Sequence, residues 1–349
     1  MLPGGVATLA WAPALFAYGV CFVIVAASWL DAPRGRGLEE LRMTLDQAVA
    51  LSLLADLSRV GLTERLKRCD PDLLVQAVPL LERAKQVREL GARKGIQVVP
   101  WNDPRFPAVL ASLTDLPPVL WYQGHLECAD APSVAIVGSR VASAAAKETA
   151  ARLGADLAAS GFSVVSGLAR GVDSAAHRGA LERGRTIAVL GSGLDRVYPA
   201  EHLPLARQVA ESGLVLSEFP PGTPPFPRHF PMRNRLISGL SLGVVVIEAS
   251  EKSGSLITAS CALEQGREVM AVPGSVLNGR NRGGHLLLRD GAKIVETADD
   301  IVEELGCGQR VVATGHGLLS RSGSSISADP VLCVMERGQA YDLDELAGG

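Results

Sequence analysis

SVAIVGSRVASAAAKETAARLGADLAASGFSVVSG, residues 133–167, decides the fold. It opens on VAIVG, an apolar run with no polar alternation. A long Ala-rich stretch follows to Ala159, and a second apolar run, FSVVSG, closes it. A strand buried on both faces reads as a continuous apolar run, and a helix between two such strands makes them parallel. The alternation continues through TIAVLG (186–191), GLVLSEF (213–219), GVVVIEA (243–249) and EVMAVPG (268–274), with a helix expected near 255–265. A shorter helix near Arg289, then KIVET and a last helix, complete the pattern. The expected class is α/β: a Rossmann-like, doubly wound, mostly parallel sheet from about 130 to 306.

Ligands of such sheets sit outside the carboxyl ends of the strands. Here those ends read VGSR, VSGLARGVD, LGSG, SEF, EAS and VPGS. Gly138 permits a tight turn, and Ser139 and Arg140 follow it. An arginine there either holds a phosphate through two parallel hydrogen bonds or pairs with a local acid. Ser166, Gly167 and Gly171 leave backbone N–H groups near a helix start, which attracts anions, and Arg170 adds charge. Asp173 is placed to cap that helix. His177 lies one turn from Asp173, within hydrogen-bonding range, and the two read as structural because no nucleophile accompanies them. Ser253, Gly254 and Ser255 offer hydroxyl and N–H groups at a further helix start, suited to phosphate or to a plain cap.

FPRHFPMRNRLISGLS, 226–241, carries Arg228, Arg233 and Arg235 and no acid, directly before the most apolar strand. Arg233, Asn234 and Arg235 are expected on a turn or short helix overhanging the same rim. Two residues apart, the arginines do not aim the same way on a helix. One meets phosphate while the other pairs with a carboxylate, Glu218 or Glu248 being the candidates, or both form structural ion pairs. Phe226 and Phe230 are the nearest aromatic rings.

Composition bounds the rest. The 349 residues are 47% hydrophobic and 20% charged, enough for a sizeable core and two or three domains. A net charge of −3 leaves nucleic-acid binding to local basic clusters, and 4% aromatic content argues against a broad stacking surface. Six scattered cysteines contain no CxxC pair, so neither a zinc site nor a disulfide scaffold is expected, and reduced thiols in a cytoplasmic protein are. The phosphate loop GxxxxGK[ST] is missing, and GSGLDR has the wrong glycine order for a dinucleotide fingerprint. No cofactor or metal is expected.

Residues 1–37 form an apolar N-terminal extension. Leu9 to Leu30 carries no charge and is about long enough to span a bilayer. The favoured reading is a start assigned too far upstream, with Met43 the true one. A membrane anchor, held cytoplasm-side by Arg34 and Arg36, or a buried helix are the others. Residues 38–92 read as a small module of short amphipathic helices, with LDQAVALSLLADL and LLVQAVPLLERAKQVREL as its main stretches. A Pro-rich segment with two extended pieces, 95–124, leads into the sheet and extends its domain to 93–306. A Gly/Ser-rich linker, 307–327, precedes a short final stretch, 328–349.

Together these motifs closely resemble the DprA/Smf family of bacterial DNA-processing proteins. The resemblance covers roughly 95 to 305. Gly138, Ser139 and Arg140 match its GSR motif. Ser166, Gly167, Arg170 and Gly171 match SGxARGxD; Arg233, Asn234 and Arg235 match RNR; Ser253, Gly254, Ser255 and Thr258 match SGSLxTA. The resemblance implies a non-enzymatic homodimer whose Rossmann-like domain binds single-stranded DNA and helps load RecA recombinase in natural transformation. It also implies that 38–92 is a SAM-like module and that 328–349 is the truncated start of a winged helix. This chain departs from the family at His202, where Asn is usual, and at Gly284 and His285, where Thr or Cys and then Asn are common. The competing reading is a nucleotide or phosphoribosyl hydrolase on the same rim, with Glu248 or Glu218 as general acid or base.

Overall fold

A computed structural model describes residues 43–54, 61–277 and 279–306. The apolar stretch 9–30, the linker 307–327 and the segment 328–349 lie outside the described residues. The described chain up to Leu305 belongs to one compact unit.

Among the described residues nine strands form a single sheet: β1 (Gln97–Pro100), β2 (Val119–Gly124), β3 (Ser133–Gly138), β4 (Ser163–Ser166), β5 (Thr186–Val189), β6 (Leu214–Ser217), β7 (Gly243–Ile247), β8 (Glu268–Ala271) and β9 (Lys293–Ile294). Their order is β1-β2-β6-β5-β4-β3-β7-β8-β9. From β3 the chain winds outward through β4, β5 and β6, then returns to pair β7 on the other side of β3, with Gly138 opposite Ile247. This reversal is the topological switch point, and it opens a crevice at the carboxyl ends of β3 and β7. The two extended pieces of the Pro-rich lead-in join the sheet as β1 and β2, and β2 runs antiparallel to β6.

The helices follow from the same sequence logic. In the amino-terminal region lie α1 (Leu45–Ser52), α2 (Leu62–Lys67), α3 (Pro71–Ala77) and α4 (Leu81–Arg93). Thr44 and Gln47 close a capping box on α1. LLVQAVPLLERAKQVREL is two helices, because Pro79 cannot donate in a helix interior and the chain passes through a 3-10 turn at Val78–Leu80. Around the sheet lie α5 (Ala144–Ala159), α6 (Val172–Arg183), α7 (Leu203–Ser212), α8 (His229–Gly239), α9 (Ser255–Glu264), α10 (Arg282–Arg289) and α11 (Ala298–Glu304).

Side chains alternate across the sheet, so one strand feeds two cores. Ile187 and Val189 pack under α8 and α9 with Leu236, Ile237, Ala259 and Ala262. Ala188, Leu190 and Val215 pack on the other face with Trp121, Leu205 and Val209, and with Leu51, Leu66 and Leu73 of the amino-terminal helices. Those helices therefore share a core with the sheet. Each fully buried Leu or Val contributes about 1.5–3 kcal/mol. Among the described residues no helix is long and apolar enough to cross a membrane.

Candidate functional site

The switch point holds an open cleft of about 430 Å³. One wall is the turn after β3, with Gly138, Ser139 and Arg140. The facing wall is Ser253, Gly254, Ser255 and Thr258 at the start of α9, and Arg233 and Asn234 of α8 form the floor. These nine residues selected from sequence thus meet in one cavity, which Asp173 and Phe230 also line.

Local bonding fixes each wall. The Ser139 N–H donates to the carbonyl of Glu248 at 2.8 Å, tying the β3 turn to the end of β7. The Ser253 and Ser255 hydroxyls lie 2.7 Å apart at the amino end of α9. Asn234 Nδ2 donates to the Gly254 carbonyl at 3.2 Å, which locks α8 to that helix start. The α9 amino terminus carries partial positive charge from its N–H groups.

Arg233 is buried, and its guanidinium donates to the Val189 carbonyl. Its Nε is buried without a hydrogen-bond partner among the described residues. Gly167 is glycine because a Cβ there would run into this guanidinium. Burial lowers the Arg233 pKa to about 10, with Arg140 adding repulsion and Asp173 opposing both. Asp173, also buried, is pushed up by desolvation and pulled back by Arg233 and two backbone N–H groups. Arg140, by contrast, is exposed and lies over the Phe230 ring at 5.4 Å from its centroid. Phe230 also packs on Tyr198, with ring centroids 5.6 Å apart.

Several residues go elsewhere. Ser166 is buried in β4, its hydroxyl donating to the Ile136 carbonyl at 2.6 Å. Gly171 supports the wall from behind: its φ is +80°, and a Cβ would strike the Ser139 carbonyl. Arg170 does not line the cleft and forks onto Glu201, at 2.6 and 2.8 Å. Arg235 faces the opposite side of α8. It pairs with Glu218 at 2.7 Å and Asp115 at 2.6 Å and is buried. So Arg233 enters the cleft and Arg235 holds the fold.

Asp173 does not cap α6. Its Oδ2 accepts from the N–H groups of Gly167 and Ala169, at 3.2 and 3.3 Å, and braces the loop ahead of the helix. His177 does not bond to Asp173; its Nδ1 lies 2.7 Å from Thr186 Oγ1, and burial lowers its pKa to about 3. The carboxylates a hydrolase would need are engaged. Glu248 Oε1 accepts from the Ser143 N–H at 3.0 Å, and Glu218 is held by Arg235. His202 bonds the Leu168 carbonyl at 2.8 Å, so the imidazole ties two loops together. At the other departure Gly284 leaves room that the Asn281 side chain fills, bridging the ends of β7 and β8. Sequence reasoning did not single out Ser250, which lines the cleft and whose signal was the polar tail of β7, nor Tyr198, whose exposed ring beside Phe230 has no local sequence signal.

The fold and cleft define a Rossmann-like protein with an anion-attracting site at its switch point. Residues 97–306 match the DNA recombination-mediator protein A family, and the chain belongs to that family. It is 44% identical over 214 residues to DNA processing protein DprA of Bacillus subtilis, covering 61% of this chain and 72% of the relative. It is 42% identical over 228 residues to DprA of Streptococcus pneumoniae, covering 64% and 80%. The X-ray structure of the Streptococcus pneumoniae protein superposes with a TM-score of 0.67 at 35% identity, over 76% of this chain and 99% of that one. DNA processing protein A of Helicobacter pylori, whose structure was described for its single-stranded DNA binding mode, superposes with a TM-score of 0.55 at 31% identity, over 60% and 95%.

Proposed function

We propose that the switch-point cleft binds the backbone of single-stranded DNA. On this reading the protein acts as a cytoplasmic homodimer that protects incoming DNA and loads RecA recombinase during natural transformation. Residues 93–306 serve as the DNA-binding domain and 38–92 as an accessory helical module. The observation that carries the binding reading is the pairing of two arginines with one helix start. Arg140 sits exposed at the rim, Arg233 lies buried at the floor, and the α9 amino terminus lines the facing wall of the same cleft. Such a site attracts phosphate by charge and by N–H groups and reads no base edge. A single strand bends a phosphate down to that floor, whereas a stiff duplex does not. Phe230 and Tyr198 offer ring faces beside the rim for one or two bases. Family membership supports the recombinase role. The test is binding of fluorescent single-stranded and duplex oligonucleotides, followed by RecA loading on the bound strand. Single-strand preference with stimulated loading supports the reading; equal affinity for duplex and single strand contradicts it.

A further inference from the structure

The Arg170–Glu201 pair is an exposed ion pair outside the cleft lining. From the rim, Arg140 covers Phe230 and Phe230 packs on Tyr198, whose ring lies near Arg170. Cation, ring, ring and cation thus follow one another across the surface, the order that suits a backbone with splayed bases. The last cation is not available. Glu201 grips its Nε and Nη2 edge in a bidentate fork, and both side chains are about half exposed, at 53% and 54%. The two segments that carry the pair are tied together, because the His202 imidazole beside Glu201 bonds the carbonyl of Leu168, two residues before Arg170. Hydrogen bonding to Arg170 holds the Glu201 carboxyl below its ordinary range, and Glu201 raises the Arg170 guanidinium.

We propose that Glu201 is a built-in competitor for DNA phosphate at Arg170. The carboxylate occupies the guanidinium edge that a phosphodiester would use, since both anions match the same fork. Glu201 thereby withholds one phosphate contact and shortens the residence of a strand on the protein, which suits a protein that must hand its strand on. The inference rests on the single-strand reading of the cleft.

The test compares the full chain with Glu201→Gln, Arg170→Ala and the double variant, on a fluorescent single-stranded oligonucleotide over a salt series. Gln keeps the shape and removes the charge. Glu201→Gln is expected to bind roughly threefold tighter at low salt, and its log affinity falls more steeply with log salt by about 0.7, one further phosphate. The gain vanishes in the Arg170→Ala background. Weaker binding by Glu201→Gln overturns the proposal, because Glu201 would then be orienting Arg170 for the strand. Unchanged affinity and slope also overturn it, and if Arg140→Ala still weakens binding the cleft reading survives. Absence of single-strand binding in every variant overturns both.

Discussion

Replacing Arg233 by Met tests the electrostatics of the cleft floor without the ligand. Met fills much of the same volume, so the change is chiefly one of charge. It strands Asp173, which is buried and held partly by Arg233. A buried carboxylate that loses its cation takes up a proton instead. For an ordinary aspartate that costs up to about 4 kcal/mol at pH 7 and about 1.5 kcal/mol at pH 5. The Val189 carbonyl loses its donor, for about 1 kcal/mol more. Against this, the substitution relieves the burial of a guanidinium whose pKa burial lowers to about 10, a relief of about 3 kcal/mol. Because burial already raises Asp173 in the parent, the net expectation is a loss of up to about 2 kcal/mol at pH 7 and near parity at pH 5. The direction follows from linkage. A carboxyl whose folded value is raised costs more folding free energy as pH climbs above its unfolded value. Urea unfolding of parent and variant at both pH values reads this directly, and adding Asp173→Asn should flatten the difference. An equal loss at pH 5 and pH 7 would refute the reasoning, for the penalty would then be packing.

His177, held neutral with its pKa lowered to about 3, makes the fold acid-sensitive. The unfolded chain binds its proton below about pH 6.5, so the parent should lose roughly 2–3 kcal/mol between pH 6.5 and 4.5. His177→Gln should unfold with a visibly flatter pH profile; an unchanged profile would place the acid sensitivity elsewhere. Gly171→Ala forces an L side chain to φ +80° against the Ser139 carbonyl. It should cost at least about 1–3 kcal/mol in urea unfolding, and a loss under about 0.5 kcal/mol would mean the turn yields freely.

Much of this was legible in the chain because the relevant signals are local. The buried strands announce themselves as apolar runs, and α5 and α6 end at Ala159 and Arg183, where the pattern placed their ends. The strand ends were less sharp. Leu190 and Phe219 continue the apolar runs but belong to the loops past β5 and β6, where they still face the core. What the sequence left open are choices made by distant partners. Helical geometry separates Arg233 from Arg235, yet only the packing of Asp115 and Glu218 against one side of α8 decides which arginine is the structural one. Arg170 carries a motif that points to the rim, and it is captured by Glu201 from a loop beyond β5. Asp173 and His177 have the spacing to bond, but the loop N–H groups and Thr186 offer them closer partners.

The central claim, that Arg140 and the cleft behind it meet the backbone of a single strand, is tested most directly by one titration. Anisotropy of a labelled single-stranded oligonucleotide is followed from low to moderate salt with the full chain, with Arg140→Ala, and with Arg183→Ala as a control on α6. Arg183 pairs with Asp156 and lines no part of the cleft. The account predicts that Arg140→Ala binds about tenfold more weakly, with a salt slope shallower by about 0.7, while Arg183→Ala tracks the parent. Equal affinities and slopes for the parent and Arg140→Ala would contradict it.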